Sequence, residues 1–158
     1  MKERLFFIML LGFGLVWVTL GHGAESSTHD KPITCAYNHK DLNTSGGAEL
    51  RINNNQISRV YFKSYYPGGP GKLSFICDID LKRNDAAYSW QDDDSGILIT
   101  TKETGDKIQL IRSKKKKGYY INFANLNRLA KYCGAGAAVP EDVFIPLSGK
   151  PCTVTMPH

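Results

Sequence analysis

The chain has 158 residues, of which 42% are hydrophobic and 22% are charged, and its formal net charge is +5. This composition is that of a globular protein, and it excludes a wholly disordered chain, a collagen-like chain and most multi-domain arrangements. The excess of Lys and Arg over Asp and Glu is compatible with an acidic partner or an anionic surface.

The first 24 residues have the pattern of a secretory signal peptide. Lys2 and Arg4 form a positive start, and an uncharged, mostly apolar stretch follows over Leu5–Leu20. A membrane-spanning helix needs about 20 apolar residues, whereas this stretch is shorter and is followed by small residues. We therefore predict cleavage after Gly23 or Ala24 and export to the periplasm or the extracellular space, with an uncleaved membrane anchor as the alternative.

The rest of the chain divides into a short arm and one domain. Residues 25–31 are polar and lack periodicity, so we predict a flexible arm. Residues 32–158 contain no internal repeat and no change in amino-acid composition that would mark a second domain. They are predicted to form a single disulfide-linked β-domain. A domain of this size buries about two-thirds of the surface that its unfolded chain exposes.

All four cysteines follow the predicted signal peptide: Cys35, Cys77, Cys133 and Cys152. An exported chain meets an oxidising compartment, so we expect two disulfides and no free thiol. The preferred pairing is Cys35–Cys77 with Cys133–Cys152, because the second bridge closes a short loop that is rich in Gly and Pro. The alternative, Cys35–Cys152 with Cys77–Cys133, applies if the first and last strands are neighbours. Paired cysteines argue against a cysteine nucleophile.

Hydrophobic and polar side chains alternate over most of the domain, as expected for strands. The clearest segment runs from Leu73 to Lys82, where only Ile76 breaks the alternation. One short helix is predicted over Leu126–Tyr132. The other predicted strands are Ile33–Tyr37, Ala48–Asn53, Gln56–Lys63, Gly96–Thr101, Lys107–Arg112, Gly118–Phe123, Asp142–Pro146 and Cys152–Met156. The pattern predicts an all-β fold, a single small antiparallel β-barrel or sandwich of about eight strands with at most one short helix.

Residues that could carry catalysis are few. Only His29, His39 and His158 follow the signal peptide, and a hydrolase triad needs an imidazole that the fold holds in place. The acidic segment Asp92–Asp94 is interpreted as a solvated hairpin turn, because its spacing is not that of a calcium loop. We predict no metal and no cofactor. A hydrolase that uses carboxylates which the sequence does not single out is the third functional hypothesis.

Four consecutive lysines form the strongest local charge feature. They occupy a predicted hairpin tip, where their ammonium groups repel each other and project into solvent, with Tyr120 close by. The residues of this tip are Lys114, Lys115, Lys116 and Lys117. Such a tip can meet an acidic partner, an anionic polymer or an anionic lipid surface, whereas nucleic acid is not expected outside the cell. The alternative is a soluble turn that prevents aggregation at a sheet edge.

A second candidate site is the segment from Tyr65 to Lys72, which contains Tyr65, Tyr66 and a run of Pro and Gly. Tyrosine offers a large amphipathic contact area at a low cost in side-chain entropy, and the two prolines stiffen the loop. We predict that this loop binds a partner. The alternative is that one tyrosine caps the core and the loop has no further role.

Together these features favour a non-enzymatic exported binding protein. Its organisation, a signal peptide followed by one small disulfide-linked β-domain without a catalytic set, is similar to that of small periplasmic inhibitors of cell-wall hydrolases. This resemblance implies an inhibitor or immunity protein of a partner enzyme. The S-G-x-x-Y loop of bacterial inhibitors of vertebrate-type lysozyme is absent, since no Tyr follows Ser45-Gly46 or Ser95-Gly96 at the required position. In this hypothesis the Tyr65–Lys72 loop docks and the lysines steer encounter. The second hypothesis is a binder of an anionic envelope polymer or lipid surface through the lysine tip.

Overall fold

The computed structural model describes residues 32–40, 43–67, 74–126, 132–133 and 139–156. This part of the chain contains ten strands: β1 Ile33–His39, β2 Thr44–Asn53, β3 Gln56–Tyr66, β4 Phe75–Lys82, β5 Tyr88–Asp92, β6 Gly96–Thr101, β7 Lys107–Ser113, β8 Gly118–Asn125, β9 Asp142–Pro146 and β10 Thr153–Thr155. The predicted signal peptide and arm lie outside the described residues. Most of the predicted helix does too, although Tyr132 and Cys133 have helical backbone. No described helix is long and apolar enough to cross a membrane.

The ten strands form two antiparallel sheets in which every strand pairs with its neighbour in sequence. Sheet A has the order β1-β2-β3-β4, and sheet B has the order β10-β9-β8-β7-β6-β5. The two sheets pack as a sandwich and do not close into a barrel. The all-β prediction is confirmed, and of the two predicted architectures the sandwich is the one observed.

The core lies between the sheets, on the inward-facing positions of the alternating strands. The side chains buried most completely include Phe62, Leu50, Ile79, Ile99, Ile121 and Ile145. The ring of Phe62 in β3 lies 5.1 Å from that of Phe123 in β8, measured between centroids, and therefore joins the two sheets. Because successive residues of a strand point to opposite faces, this core also fixes which side chains face outward.

The disulfides follow the alternative pairing, Cys35–Cys152 and Cys77–Cys133, and no cysteine is free. The preferred pairing was wrong for a reason of distance. β1 and β4 are the two edges of sheet A, so Cys35 and Cys77 are three strand spacings apart, about 14 Å, and a disulfide requires Cα atoms within about 7 Å. The end of the chain instead lies beside β1, where the Cys152 amide donates to the Ala36 carbonyl at 2.9 Å.

The sequence missed β5 and the first half of β2. β5 is only five residues long, and its alternation consists of two large side chains, Tyr88 and Trp90, which is too short a pattern to stand out. β2 begins at Thr44 and passes through Gly46 and Gly47, which sequence rules read as a break. Both glycines are needed there, because a Cβ would lie 2.2 Å from the Lys63 carbonyl at Gly46 and 2.8 Å from the Cys35 carbonyl at Gly47.

Candidate functional site

An exposed apolar pair stands on the outer face of sheet A. Among the described residues, three large hydrophobic side chains are exposed: Tyr65 at 43%, Ile76 at 53% and Leu147 at 46%. Tyr65 in β3 and Ile76 in β4 are directly opposite each other in the strand register. Their side chains therefore lie next to each other on the outward face, and we call them the Tyr65–Ile76 surface. Exposed hydrophobic residues that are scattered singly are common, whereas neighbouring ones form a contiguous apolar patch, and such patches mark contact surfaces.

A shallow groove adjoins Tyr65 on the same face. It has a volume of about 370 Å³ and lies where β1, β2 and β3 meet, with Tyr61, Lys63 and Tyr65 on one side. Gly47 faces outward opposite Lys63, and its missing side chain leaves the backbone as the floor. The groove thus offers a flat floor and tyrosine walls beside the Tyr65–Ile76 surface, which suits a protruding side chain or an extended segment of another protein.

The middle of the same face carries charges that neutralise one another. The Arg59 guanidinium donates two hydrogen bonds to Asp80, at 2.6 and 2.9 Å, and also lies 3.6 Å from Glu49. Its hydrogen bonds hold the pKa of Asp80 below the ordinary value and raise the pKa of Arg59. Lys82 lies 3.4 Å from the Asp80 carboxylate. These groups are engaged with each other, so the apolar end of the face is the part available for contact.

A wider groove, of about 720 Å³, lies at the β2–β3 turn and contains Arg51, Arg59, Lys82 and Arg83. Its cations are also paired. Arg51 lies 2.6 Å from Glu49, and Arg83 donates to both carboxylate oxygens of Asp92, at 2.6 and 2.7 Å. This pairing lowers the pKa of Asp92. An anion entering this groove would have to displace existing ion pairs, so we do not assign it as an anion site.

The two predicted tyrosines point in opposite directions. Tyr65 faces outward, and its hydroxyl donates to Ser74 Oγ at 3.2 Å. Tyr66, the next residue, packs against the core, and burial raises its pKa. Only Tyr65 is therefore retained as a contact residue. Lys72 and most of the predicted docking loop lie outside the described residues.

The four lysines occupy the turn between β7 and β8, and all four side chains are exposed. Lys117 adopts a left-handed conformation with φ of 50°, and the Lys116 amide donates to Ser113 Oγ at 3.2 Å, which closes the turn. The Lys116 ammonium lies 5.3 Å from the centroid of the Tyr120 ring, close enough for a cation–π contact. Tyr120 in turn packs on Phe144, with centroids 4.8 Å apart. The structure thus places Lys116, Tyr120 and Phe144 in one cluster beside the lysine turn.

The acidic segment forms the turn between β5 and β6. Asp93 Oδ1 accepts hydrogen bonds from the Ser95 hydroxyl and amide and from the Gly96 amide, and these bonds lower the pKa of Asp93. The Asp93 carboxylate therefore stabilises the turn, which agrees with the interpretation of this segment as a hairpin turn. Within the described residues, no group of three or more His, Cys, Asp or Glu side chains is placed to hold a metal ion.

Comparison of this chain with protein-family models, curated proteins and solved structures finds no match. The interpretation of function therefore depends on the surfaces described above.

Sequence reasoning missed two of the three exposed hydrophobic residues. The signal for Ile76 was present, because it is the one apolar residue at an outward position of the alternating segment 73–82. Leu147 follows the last residue of β9 and begins a turn, where its exposure depends on how the loop leaves the sheet. Nothing in the local sequence indicates that geometry.

Proposed function

We propose that this protein is a non-enzymatic exported binding protein that contacts a partner protein through the Tyr65–Ile76 surface. The observation that carries the proposal is the direct cross-strand pairing of two large exposed side chains, Tyr65 and Ile76. Leaving both in water forgoes the free energy of burying them, about 1.5–3 kcal/mol for a fully buried side chain of this size. A partner that covers them recovers part of that free energy.

The chemistry of the face favours a protein partner over a small molecule or a polymer. The groove beside Tyr65 is shallow, and its lining combines Tyr61, Tyr65, two glycines and Ala48 with serine, threonine, Glu49 and Lys63. Flat surfaces with central aromatic residues and a polar rim are typical of protein interfaces. Lys63 and Asp78, which are opposite each other in the register and exposed, supply such a rim.

Export is supported by the signal-like N-terminal sequence and by the two disulfides, which are typical of proteins that fold in an oxidising compartment. A binding role is also favoured by how three of the carboxylates are engaged. Asp80 and Asp92 are held by arginines, and Asp93 closes a turn. The partner class that fits this setting is an enzyme of the envelope, such as a cell-wall hydrolase, with this protein as its inhibitor or immunity protein.

The test is capture of partner proteins by the oxidised domain, compared with a variant that loses the surface, Tyr65→Ser with Ile76→Ser. The matched control is Leu147→Ser, which removes the third exposed hydrophobic side chain. We expect wild type and the control to capture the same partner. The double variant should bind that partner at least tenfold more weakly, since truncation of a central interface residue costs about 1–2 kcal/mol or more.

The captured partner also decides between inhibition and simple binding. An enzyme whose activity falls when wild type is added, but not when the double variant is added, supports the inhibitor proposal. A partner that binds all three proteins equally would contradict the assignment of the Tyr65–Ile76 surface.

A further inference from the structure

The third exposed hydrophobic residue, Leu147, lies against the lysine tip. β9 ends at Pro146, which is opposite Gly118 in the strand register, and the Leu147 amide donates to the Lys117 carbonyl at 3.0 Å. This hydrogen bond fixes the start of the β9–β10 loop beside the lysine turn. Leu147 therefore projects into solvent, 46% exposed, next to a cluster of ammonium groups.

A shallow cavity of about 460 Å³ lies between these two loops. Its lining contains Arg112, Lys114, Lys117 and Leu147, with serine and glycine and without a carboxylate. Lys150, in the same loop as Leu147, is also exposed. Among the described residues, no carboxylate forms an ion pair with any of these cations.

The acidic turn of Asp93 and Asp94 lies to one side of this cavity. The Arg112 amide donates to the Ser95 carbonyl at 3.4 Å, so that turn is adjacent to β7. The strand order places it on the β6 side of the lysines and places Leu147 on the β9 side. Asp142 in β9 lines a separate pocket with Lys116 and Tyr120. The cavity between the lysine turn and Leu147 is therefore cationic and apolar, without a carboxylate in its lining.

We propose that this end of sheet B, formed by the β7–β8 turn and the β9–β10 loop, binds the surface of an anionic lipid bilayer. Leu147 inserts among the headgroups, and the lysines lie against the lipid phosphates. The charge complementarity is direct, because Lys114, Lys115 and Lys117 are exposed and form no ion pair with a described carboxylate, and an anionic surface attracts each of them. The exposed leucine favours a bilayer over a soluble polyanion. An apolar side chain gains free energy by entering the boundary of the acyl region, whereas it gains little on a hydrated polymer.

The test measures co-sedimentation of the oxidised domain with vesicles of phosphatidylcholine containing phosphatidylglycerol, compared with vesicles of phosphatidylcholine alone. We expect binding only to the anionic vesicles. Lys114→Gln with Lys115→Gln should weaken it about 25-fold, since each lysine near an anionic surface contributes about fivefold. The matched control for charge is Lys40→Gln with Lys102→Gln, which removes two exposed lysines elsewhere and should change binding much less.

The leucine is tested by Leu147→Gln, which should weaken vesicle binding about fivefold, as expected for a half-exposed side chain that becomes buried. Its matched control is Ala124→Gln, at an exposed apolar position at the opposite end of β8, which should leave vesicle binding unchanged. Soluble inorganic polyphosphate is the second probe, and its binding should not depend on Leu147. Equal vesicle binding by wild type and Leu147→Gln, or tighter binding to polyphosphate than to vesicles, would overturn the proposal in favour of a polymer site.

Discussion

Replacing Cys35 and Cys152 with Ala removes the bridge that ties the first strand to the end of the chain. The bridge joins residues 117 positions apart, but the Cys77–Cys133 bridge lies within that span and shortens the loop to about 60 residues. Closing a loop of that length in the unfolded chain corresponds to about 4 kcal/mol of free energy of unfolding. Cys35 is half-buried and Cys152 is 8% exposed, so lost packing adds about 1 kcal/mol. We expect the double variant to lose about 5 kcal/mol, a large part of the 5–15 kcal/mol typical of a domain.

The same substitution at Cys77 and Cys133 provides the comparison. That bridge spans 56 positions, which corresponds to about 4 kcal/mol by the same loop-closure reasoning. Both cysteines are almost completely buried, at 0% and 1% exposure, so the packing loss is larger than for the first pair. We therefore expect the second double variant to be destabilised at least as much as the first, because its loop-closure loss is similar and its packing loss is larger.

The assay is urea unfolding of the oxidised proteins, followed by circular dichroism and extrapolated to buffer. Peptide mapping without reduction gives the connectivity of the wild type in the same preparation. A loss below about 2 kcal/mol for the first variant would refute the loop-closure reasoning. A peptide that joins Cys35 to Cys77 would contradict the order of strands in sheet A.

Three further predictions concern single residues. Burial raises the pKa of Tyr37 to about 12, so the stability that the neutral phenol provides is fully present below pH 10 and is lost as the pH rises through 12. We expect Tyr37→Phe to flatten this alkaline fall in the free energy of unfolding, by at most ~3 kcal/mol. Arg59 lowers the pKa of Asp80, so that contribution is lost as the pH falls through the acid range, and Asp80→Asn should flatten the acid limb of the same stability profile. Gly118→Ala would place a Cβ 2.4 Å from the Ile145 carbonyl and 2.5 Å from the Phe144 ring, and it should lower the midpoint of urea unfolding by an amount equivalent to about 1–3 kcal/mol. An unchanged profile or midpoint in any of the three would contradict the contact concerned.

Alternation predicted most of the strands because both sheets bury one face and expose the other. The segment 73–82 shows how strong this signal is, since Cys77, Ile79 and Leu81 are all fully buried in β4. Alternation does not say which strands are neighbours, and the disulfide pairing depends on that. A short loop favoured Cys133–Cys152, but the strand order placed Cys152 beside β1.

The candidate surfaces were only partly predictable for a related reason. Charge is visible in the sequence, so the lysine tip was found. Exposure of an apolar side chain depends on what covers it, and a sequence does not show that. Tyr65 and Tyr66 have the same side chain and are adjacent in the sequence. Tyr66 packs against the core and Tyr65 faces outward, and only knowledge of which face of the strand is buried distinguishes them.

Site-specific photo-crosslinking from position 76 shows whether a partner protein covers the Tyr65–Ile76 surface. A photoreactive side chain replaces Ile76 in one sample, and Gln109, an exposed residue of β7 in the other sheet, in the control. Both proteins are exported in the native host and irradiated. We expect one discrete protein adduct from position 76 that is missing from position 109. No adduct from position 76, or the same adduct from both positions, would contradict a partner-binding role for the Tyr65–Ile76 surface.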